Sequence, residues 1–387
     1  MSEKSLVPKI RFKGFTNAWE QEKLGNLTLL NRFPQISAEK LSELNQYKGD
    51  VSLLPSSNNN NWRCSYNEKI SHLINYAEVI TLGRARNPNP KYAKGLFISS
   101  QNHIIESKKN DILLNKFLYF FINKVGRKFY SFENTYPMFT KIDFLNTKFL
   151  FPSVKEQEKI LKVLNNLDSL ITLHQRKYLA LKNFKNTLLE KMFCDEKSKF
   201  PRIRFKGFTN AWEQEKLGNL TLLNRFPQIS AEKLSELNQY KGDVSLLPSS
   251  NNNNWRCSYN EKISHLINYA EVITLGRARN PNPKYAKGLF ISSQNHIIES
   301  KKNDILLNKF LYFFINKVGR KFYSFENTYP MFTKIDFLNT KFLFPSVKEQ
   351  EKILKVLNNL DSLITLHQRK LELLKNIKNT LLEKMFI

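Results

Sequence analysis

The stretch SVKEQEKILKVLNNLDSLITLHQRKYLALKNFKNTLLEKMF occupies Ser153 to Phe193, and it recurs almost unchanged at Ser346 to Phe386. It follows Pro152, and Ser153 and Glu156 have the spacing of a capping box, in which each side chain satisfies a free backbone N–H at the helix start. No proline or glycine interrupts the stretch. Roughly 40 residues at about 1.5 Å rise predict a helical rod of about 60 Å.

Apolar side chains recur along this stretch at alternating spacings of four and three residues, the pattern of a heptad seam. His174 and Lys185 are the polar positions within it. A long helix with one apolar seam needs a partner helix, and the second copy is the obvious one. The predicted seam consists of Ile160, Leu164, Leu167, Ile171, Leu181 and Leu188, with Ile353, Leu357, Leu360, Ile364, Leu374 and Leu381 in the second copy.

The duplication extends far beyond the helix, because every residue from Ile10 to Lys177 recurs without change from Ile203 to Lys370. Two long copies indicate two folded domains rather than a solenoid. We expect a first domain at 1–152, a helix at 153–193, a second domain at 194–345 with a linker at 194–202, and a helix at 346–387. The predicted fold class is α+β, with two globular mixed α/β domains joined and spaced by two long helices.

Antiparallel packing of the two helices as a coiled coil would relate the copies by a pseudo-two-fold axis. The chain begins with Glu3-Lys4-Ser5, which matches part of the linker, and it ends where the linker would start again. This nearly cyclic order predicts that the end of the second helix lies beside the first domain.

Composition limits the class of partner. The net charge is +27 and the pI is about 9.8, in a chain with 15 Tyr and 30 Phe, which indicates a folded protein that binds a polyanion. A Lys-rich surface that reflects an AT-rich genome is the alternative explanation of the charge. The three cysteines have no paired spacing, so we expect neither a disulfide framework nor a zinc site. We expect no signal peptide, no membrane span and a cytoplasmic location.

Catalytic motifs are missing from the sequence. It contains neither a phosphate-binding GxxxxGK[ST] loop nor a GxGxxG cofactor loop, and its six histidines lack metal-ligand spacing. Asn87-Pro88-Asn89-Pro90 is similar to the Asn-Pro-Pro-aromatic loop of amino-methyltransferases, but an Asn separates the prolines and no cofactor glycines precede it. We therefore expect no enzyme activity, no metal and no cofactor in this chain.

Each copy alternates apolar segments with polar loops. We expect strands at 50–54, 77–82, 95–99 and 149–151, helical stretches within 30–47, a helix capped by Asn110 and Asp111 that runs to Asn123, and exposed loops at 56–67 and 83–92. The segment 8–27 is expected to be held by its aromatic residues.

Three loop segments carry side chains that suit DNA. Arg makes bidentate contacts to guanine and Asn to adenine, whereas Lys mostly meets phosphate. Asn runs are also common solvated loops, so base reading by the Asn run competes with that alternative. The candidates are Arg84, Arg86, Asn87, Asn89 and Lys91; Asn58, Asn59, Asn60, Asn61 and Arg63; and Tyr136 and Lys141. Their copies are Arg277, Arg279, Asn280, Asn282 and Lys284; Asn251, Asn252, Asn253, Asn254 and Arg256; and Tyr329 and Lys334.

Several short motifs together resemble the specificity subunit of type I restriction-modification systems. They are Pro8-Lys9-Ile10-Arg11-Phe12-Lys13-Gly14-Phe15 with Trp19, Phe151-Pro152-Ser153 with Glu156-Gln157 and Ile160, Leu167-Asp168, and Leu188-Leu189-Glu190-Lys191-Met192-Phe193. Each motif also occurs in the second half, with Arg202 in place of Lys9, and the resemblance covers essentially the whole chain.

The resemblance implies two target-recognition domains that alternate with two long antiparallel helices. It also implies docking of two modification subunits and of restriction subunits, with S-adenosylmethionine, ATP and Mg²⁺ bound by those partners, adenine N6 methylation by the modification subunit, and a split DNA target. Specificity subunits of this family usually carry two different recognition domains. Identical domains predict a palindromic split target, with half-sites centred about 34 to 36 Å, or a multiple, apart. A nucleic-acid-binding scaffold without sequence preference is the alternative function.

Overall fold

The structure is a computed structural model that describes residues 7–131, 135–195, 198–324 and 329–387. Its contacts divide the chain into two compact units: Met1–Gln175 with Arg369–Ile387, and Arg176–Gln368. Each long helix therefore contributes its first half to one unit and its second half to the other.

The first unit is built around a six-stranded mixed sheet. Its elements are β1 (Glu20–Lys23), α1 (Leu24–Leu27), β2 (Thr28–Leu30), α2 (Ala38–Glu43), β3 (Val51–Pro55), β4 (Arg63–Cys64), β5 (Asn75–Gly83), β6 (Lys91–Ser100), β7 (Asn102–Ser107), α3 (Asn115–Val125), β8 (Tyr130–Ser131), β9 (Met138–Phe139), α4 (Lys141–Asn146), β10 (Lys148–Phe151) and α5 (Val154–Met192). The sheet has the strand order β2-β7-β5-β6-β3-β4. Within it, β3 pairs parallel with β6 and the other neighbours pair antiparallel.

Apolar side chains pack against both faces of the sheet where β5 ends. Successive residues of a strand point to opposite faces, so each face has its own cluster. Ile80 and Leu82 join the large core that contains the aromatic residues of α3. Val79 joins a smaller cluster with Leu54, Phe97 and other apolar side chains. This burial holds the ends of β5 and β6 rigidly and fixes the loop between them.

The two long helices run antiparallel within the first unit. Near the start of α5, Ile160 and Leu164 share a core with Leu382 of α10 (Val347–Met385). Further along α5, Asp168 Oδ1 accepts a hydrogen bond from Lys378 Nζ at 2.5 Å. As the residue numbers along α5 increase, the residue numbers of the contacts on α10 decrease. The two helices therefore run in opposite directions.

The C-terminus of the chain lies on the first domain, as the nearly cyclic sequence predicted. The Phe386 ring stacks on Phe117 with ring centroids 4.8 Å apart. Lys124 Nζ donates to the Phe386 carbonyl oxygen at 2.9 Å, and Ile10 N donates to the Lys384 carbonyl oxygen at 3.0 Å. The linker fragment at residues 3–5 lies outside the described residues.

The second unit repeats these elements, and its described part has the same sheet order. They are β11 (Glu213–Lys216), α6 (Leu217–Leu220), β12 (Thr221–Leu223), α7 (Ala231–Glu236), β13 (Val244–Pro248), β14 (Arg256–Cys257), β15 (Asn268–Gly276), β16 (Lys284–Ser293), β17 (Asn295–Ser300), α8 (Asn308–Val318), β18 (Tyr323–Ser324), β19 (Met331–Phe332), α9 (Lys334–Asn339) and β20 (Lys341–Phe344). Leu188 and Met192 of α5 share a core with Ile353 of α10, and Lys185 Nζ donates to Asp361 Oδ1 at 2.5 Å. The helices are antiparallel in this unit too.

The predicted α+β fold class and the two long packed helices are confirmed. Every predicted seam residue is buried or half-buried, and the polar seam positions Lys185 and Lys378 form ion pairs. No helix in the described ranges is long and apolar enough to cross a membrane.

Five local predictions need correction. Helix α3 begins at Asn115 rather than behind Asn110 and Asp111, because Asn115 Nδ2 donates to Asn110 Oδ1 at 3.1 Å and fixes a turn before the helix. The helical stretch within 30–47 is confined to α2. Strand β6 begins at Lys91, four residues earlier than expected, and β7 was not predicted.

The fifth correction concerns the capping box that was predicted from Ser153 and Glu156, because the Glu156 side chain has a different partner. Its carboxylate accepts hydrogen bonds from Arg11 Nε and Nη2, both at 2.8 Å, in a pair that is almost fully buried. This bidentate pair, repeated as Arg204 with Glu349, raises the pKa of the arginine and ties the start of the domain to the start of the helix.

Candidate nucleic-acid interface

The loop between β5 and β6 is a compact turn at the edge of the sheet. Gly83 N donates to the Pro88 carbonyl oxygen at 2.8 Å, and a Cβ at Gly83 would lie only 2.8 Å from the Asn87 carbonyl oxygen. Arg86 has a φ of +65° and its N–H donates to the Pro137 carbonyl oxygen at 2.6 Å. The loop is therefore held in one conformation by its own backbone and by the segment that precedes β9.

The structure brings the three predicted loop segments of the first unit together. Phe139 N donates to the Arg84 carbonyl oxygen at 3.0 Å, which places the segment with Tyr136 and Lys141 against the loop. On the other side, the Asn run adjoins the same loop across a depression of about 610 Å³. The depression is lined by Asn58, Asn60, Asn87, Pro88, Asn89, Pro90, Tyr119, Asn123, Lys124 and Arg127.

Four residues of that lining were missed in the sequence, and one of them is Tyr119 of α3. Asn123, Lys124 and Arg127 lie at the C-terminal end of α3 and in the turn after it. In the sequence these residues are marked only by the polar, basic segment NKVGRK at residues 123–128, where the apolar helix ends. Whether this segment lies beside the loop depends on how α3 packs. Lys124 donates to the Phe386 carbonyl oxygen, which leaves Asn123 and Arg127 as the new exposed side chains of interest.

Positive charge is concentrated where β5 ends. Burial lowers the pKa of His103 to about 4, and the nearby Arg84 and Lys141 lower it further in the same direction. The neutral ring stacks on Phe139 with centroids 4.1 Å apart. Arg84 and Lys141 are both exposed and act on one histidine, so they form a local site of positive charge at this end of the sheet.

Arg86 is presented to solvent by an aromatic neighbour. Its guanidinium lies 5.4 Å from the centroid of the Tyr136 ring, and both side chains are exposed. A cation–π contact of this kind restricts a flexible arginine and leaves the edge of its planar fork available for bidentate contacts.

Two predicted contact residues have different roles. Lys91 is only 6% exposed, and its Nζ donates to the carbonyl oxygens of Pro55 and Ser57 at 2.7 and 2.6 Å. Burial lowers its pKa to about 8. An ammonium that is buried among backbone carbonyls does not meet DNA phosphate, so this expectation for Lys91, and for Lys284 in the second copy, is corrected. Asn89 likewise uses its side-chain amide to bind the Ser56 carbonyl oxygen at 2.9 Å.

The remaining candidates are exposed. Asn58 to Asn61 and Asn87 face solvent, although Asn59 and Asn61 do not line the depression. Arg63 is exposed at the sheet edge in β4, and its Nε donates to the Gly49 carbonyl oxygen at 2.7 Å, away from the depression. The second unit has the same pattern of exposure at Arg277, Arg279, Asn280, Asn251, Asn252, Asn253, Asn254, Arg256, Tyr329 and Lys334, and Asn282 binds the Ser249 carbonyl oxygen as Asn89 binds that of Ser56.

Comparison with known proteins identifies the family. A model of the type I restriction modification DNA specificity domain matches residues 17–183 and, a second time, residues 210–376. The chain belongs to this family. It is a type I specificity subunit with two target-recognition domains, a non-catalytic subunit that carries no cofactor, because S-adenosylmethionine and ATP are used by the modification and restriction subunits.

Two solved structures share the fold of this specificity subunit. The type I restriction-modification S subunit from M. genitalium has a TM-score of 0.67 at 16% identity, over 98% of this chain and 99% of that one. A chain from a study of complex assembly and conformational transition of the type I R-M system has a TM-score of 0.50 at 14% identity, over 95% and 97%. No curated protein sequence matches significantly.

Proposed function

We propose that this specificity subunit reads a split, palindromic DNA target. The identity of residues 10–177 with residues 203–370 is the observation that carries the proposal, because two identical recognition surfaces select the same bases. In each unit the surface consists of the Asn run, the loop after β5 or β15, and the aromatic-basic segment behind it. Exposed Arg84 and Asn87 have the donor and acceptor groups that read purines in the major groove.

Antiparallel helices in each unit support inverted half-sites. In this proposal the two identical surfaces read opposite strands, so one half-site is the reverse complement of the other. The half-sites are then centred about one helical turn of DNA, roughly 34 to 36 Å, or a multiple of it, apart. The base pairs between them are not read.

A second apolar stripe on the long helices is the proposed docking site for modification subunits. In the first unit Leu170, Leu173, Leu373 and Ile377 are between 40% and 59% exposed. Leu173 and Leu373 each precede a seam position by one residue. In an antiparallel helix pair, residues that directly precede these seam positions lie on the same edge of the seam. The Asp168–Lys378 ion pair places Leu173 and Leu373 at the same level along the helix axis.

The opposite edge of this helix pair is polar. It carries Asn165 and Thr172 of α5 together with Glu372 and Asn379 of α10. A one-sided apolar patch on two paired helices suits amphipathic helices of a partner, which complete a four-helix arrangement.

The second unit has the matching patch at Leu363, Leu366, Ala180 and Phe184. Ala180 is smaller than its counterpart Leu373, and Phe184 is larger than its counterpart Ile377. Two similar patches favour two modification subunits per specificity subunit, and restriction subunits then join the complex.

Mapping of methylated adenines in DNA tests the proposal. The chain is expressed with its modification subunit in cells that lack other adenine methyltransferases, and N6-methyladenine is located by long-read sequencing. We expect one split motif whose halves are reverse complements, with methylation on both strands. A motif with two unrelated halves contradicts the palindromic reading.

A binding competition separates this proposal from the scaffold alternative. The purified complex binds a labelled duplex that carries the motif, in the presence of excess random-sequence competitor. Retention of the labelled duplex supports sequence reading. Equal displacement by any duplex supports a scaffold that binds nucleic acid through charge alone.

A further inference from the structure

The buried lysine at the start of β6 is an unusual element of the recognition surface. Lys91 is 6% exposed and Lys284 is 5% exposed. Desolvation is the cause of the lowered pKa of both, about 8 in each unit. Their hydrogen-bond partners are backbone carbonyls, and no carboxylate in the described part of the chain pairs with them to offset the burial of the charge.

Lys91 connects two loops that are distant in sequence. Its Nζ binds the carbonyl oxygens of Pro55 and Ser57, at the start of the segment that leads into the Asn run. Lys91 itself ends the loop that carries Arg84 and Arg86. The equivalent Lys284 Nζ donates to the Ser250 carbonyl oxygen at 2.6 Å.

A second connection lies beside the first. Asn89 has a φ of +39°, and its Nδ2 donates to the Ser56 carbonyl oxygen at 2.9 Å. Lys91 and Asn89 together therefore bind residues 55–57 from the neighbouring loop. The Asn run and the arginine loop face each other across the depression, and these hydrogen bonds fix the distance between them.

We propose that Lys91, with Lys284 in the second copy, is a positioning residue that holds the Asn run and the arginine loop at one fixed spacing and so determines which half-site is accepted. The lysine does not touch DNA. Loss of its hydrogen bonds frees the two loops to adjust independently, so mismatched half-sites are accepted while charge-driven attachment to DNA continues. This inference rests on the proposed function.

The test uses the full chain in complex with its modification subunit and compares wild type with Lys91→Met combined with Lys284→Met. Dissociation constants are measured for the target, for duplexes with one mismatch per half-site and for an unrelated duplex, over a range of salt concentrations. We expect discrimination between target and mismatched DNA to fall about tenfold or more, which is the scale of one base contact. Affinity for the unrelated duplex and the salt dependence stay unchanged.

Lys94→Met combined with Lys287→Met is the matched control. These lysines lie in the same strands, and their side chains are 73% exposed, so the control removes the same charge without breaking the loop connection. We expect the control to discriminate as wild type does.

Two outcomes overturn the inference. Uniform weakening on every duplex, with a salt slope that is smaller by about one per lysine removed, assigns Lys91 to phosphate. Unchanged discrimination shows that the connection is irrelevant. If the methionine variant does not fold, Asn89→Gly with Asn282→Gly removes the adjacent connection and tolerates the positive φ. Reduced discrimination in that variant then supports the inference, and unchanged discrimination overturns it. If the wild-type complex itself does not discriminate between target and mismatched DNA, that result contradicts the proposed function rather than this inference.

Discussion

Replacement of Phe386 by alanine is expected to destabilise the first unit, although Phe386 lies almost at the end of the chain. The side chain is 3% exposed and stacks on Phe117 in the core below the sheet. Truncation of a buried phenylalanine costs about 3 to 5 kcal/mol. Partly buried neighbours such as Leu381 and Ile387 can move into part of the space, which places the expected cost at about 3 kcal/mol.

A cost of about 3 kcal/mol raises the opening equilibrium of the surrounding structure roughly 150-fold. Hydrogen exchange with mass spectrometry reads this effect locally. We expect peptides from α3 to lose protection, whereas the equivalent peptides from α8 in the second unit keep theirs. Phe193→Ala should have the reciprocal effect, because Phe193 stacks on Phe310 of α8.

Phe184→Ala is the control for removal of a phenyl ring. Its side chain is 53% exposed, so its effect on stability should stay within about 0.5 kcal/mol. Unchanged protection of α3 in Phe386→Ala, or equal loss in α3 and α8, refutes the reasoning that the chain end belongs to the core of the first unit.

Three further predictions concern DNA binding, docking of the modification subunit and the pH dependence of stability. Arg84→Ala in both copies should cost about 1 to 3 kcal/mol on the target and relax one symmetric position, as measured by competition binding; equal loss on all duplexes would assign Arg84 to phosphate. Leu173→Glu with Leu366→Glu should prevent copurification of the modification subunit without changing the melting temperature, and a retained complex would contradict the docking patch. The folded-state pKa of His103 is about 4, below the unfolded value of about 6.5, so the unfolded state takes up the proton first and the melting temperature should fall as pH drops from about 6.5 to 4. His103→Gln in both copies should flatten that profile; an unchanged slope would show that His103 is not responsible.

The elements that were predicted well are those with a strong local signal. The helix α5 follows from its unbroken heptad pattern, and β3, β5 and β10 follow from short apolar runs that end at proline or glycine. The start of α3 was misplaced because Asn110 has the composition of a helix cap but bonds to Asn115 instead. Local composition does not reveal which partner a polar side chain will find.

The recognition residues illustrate the same limit. Arg84 and Arg86 were identified because a strand delivers them into a loop with glycine and two prolines, and the structure leaves both exposed. Lys91 has the same composition signal and is buried, because the register of β6 turns it towards the carbonyl oxygens of Pro55 and Ser57. Arg127 was missed because its nearness to the Asn run depends on how α3 packs.

The sequence by itself determined the duplication, the two long helices with their seam, the basic charge and the family, since these are properties of residue order and spacing. Only the tertiary structure decided which half of each helix belongs to which unit, which loops meet around the depression, and which lysines are buried. Those features arise from contacts between residues far apart in the chain, whose hydrogen bonds and packing depend on strand register and helix direction, and composition specifies neither.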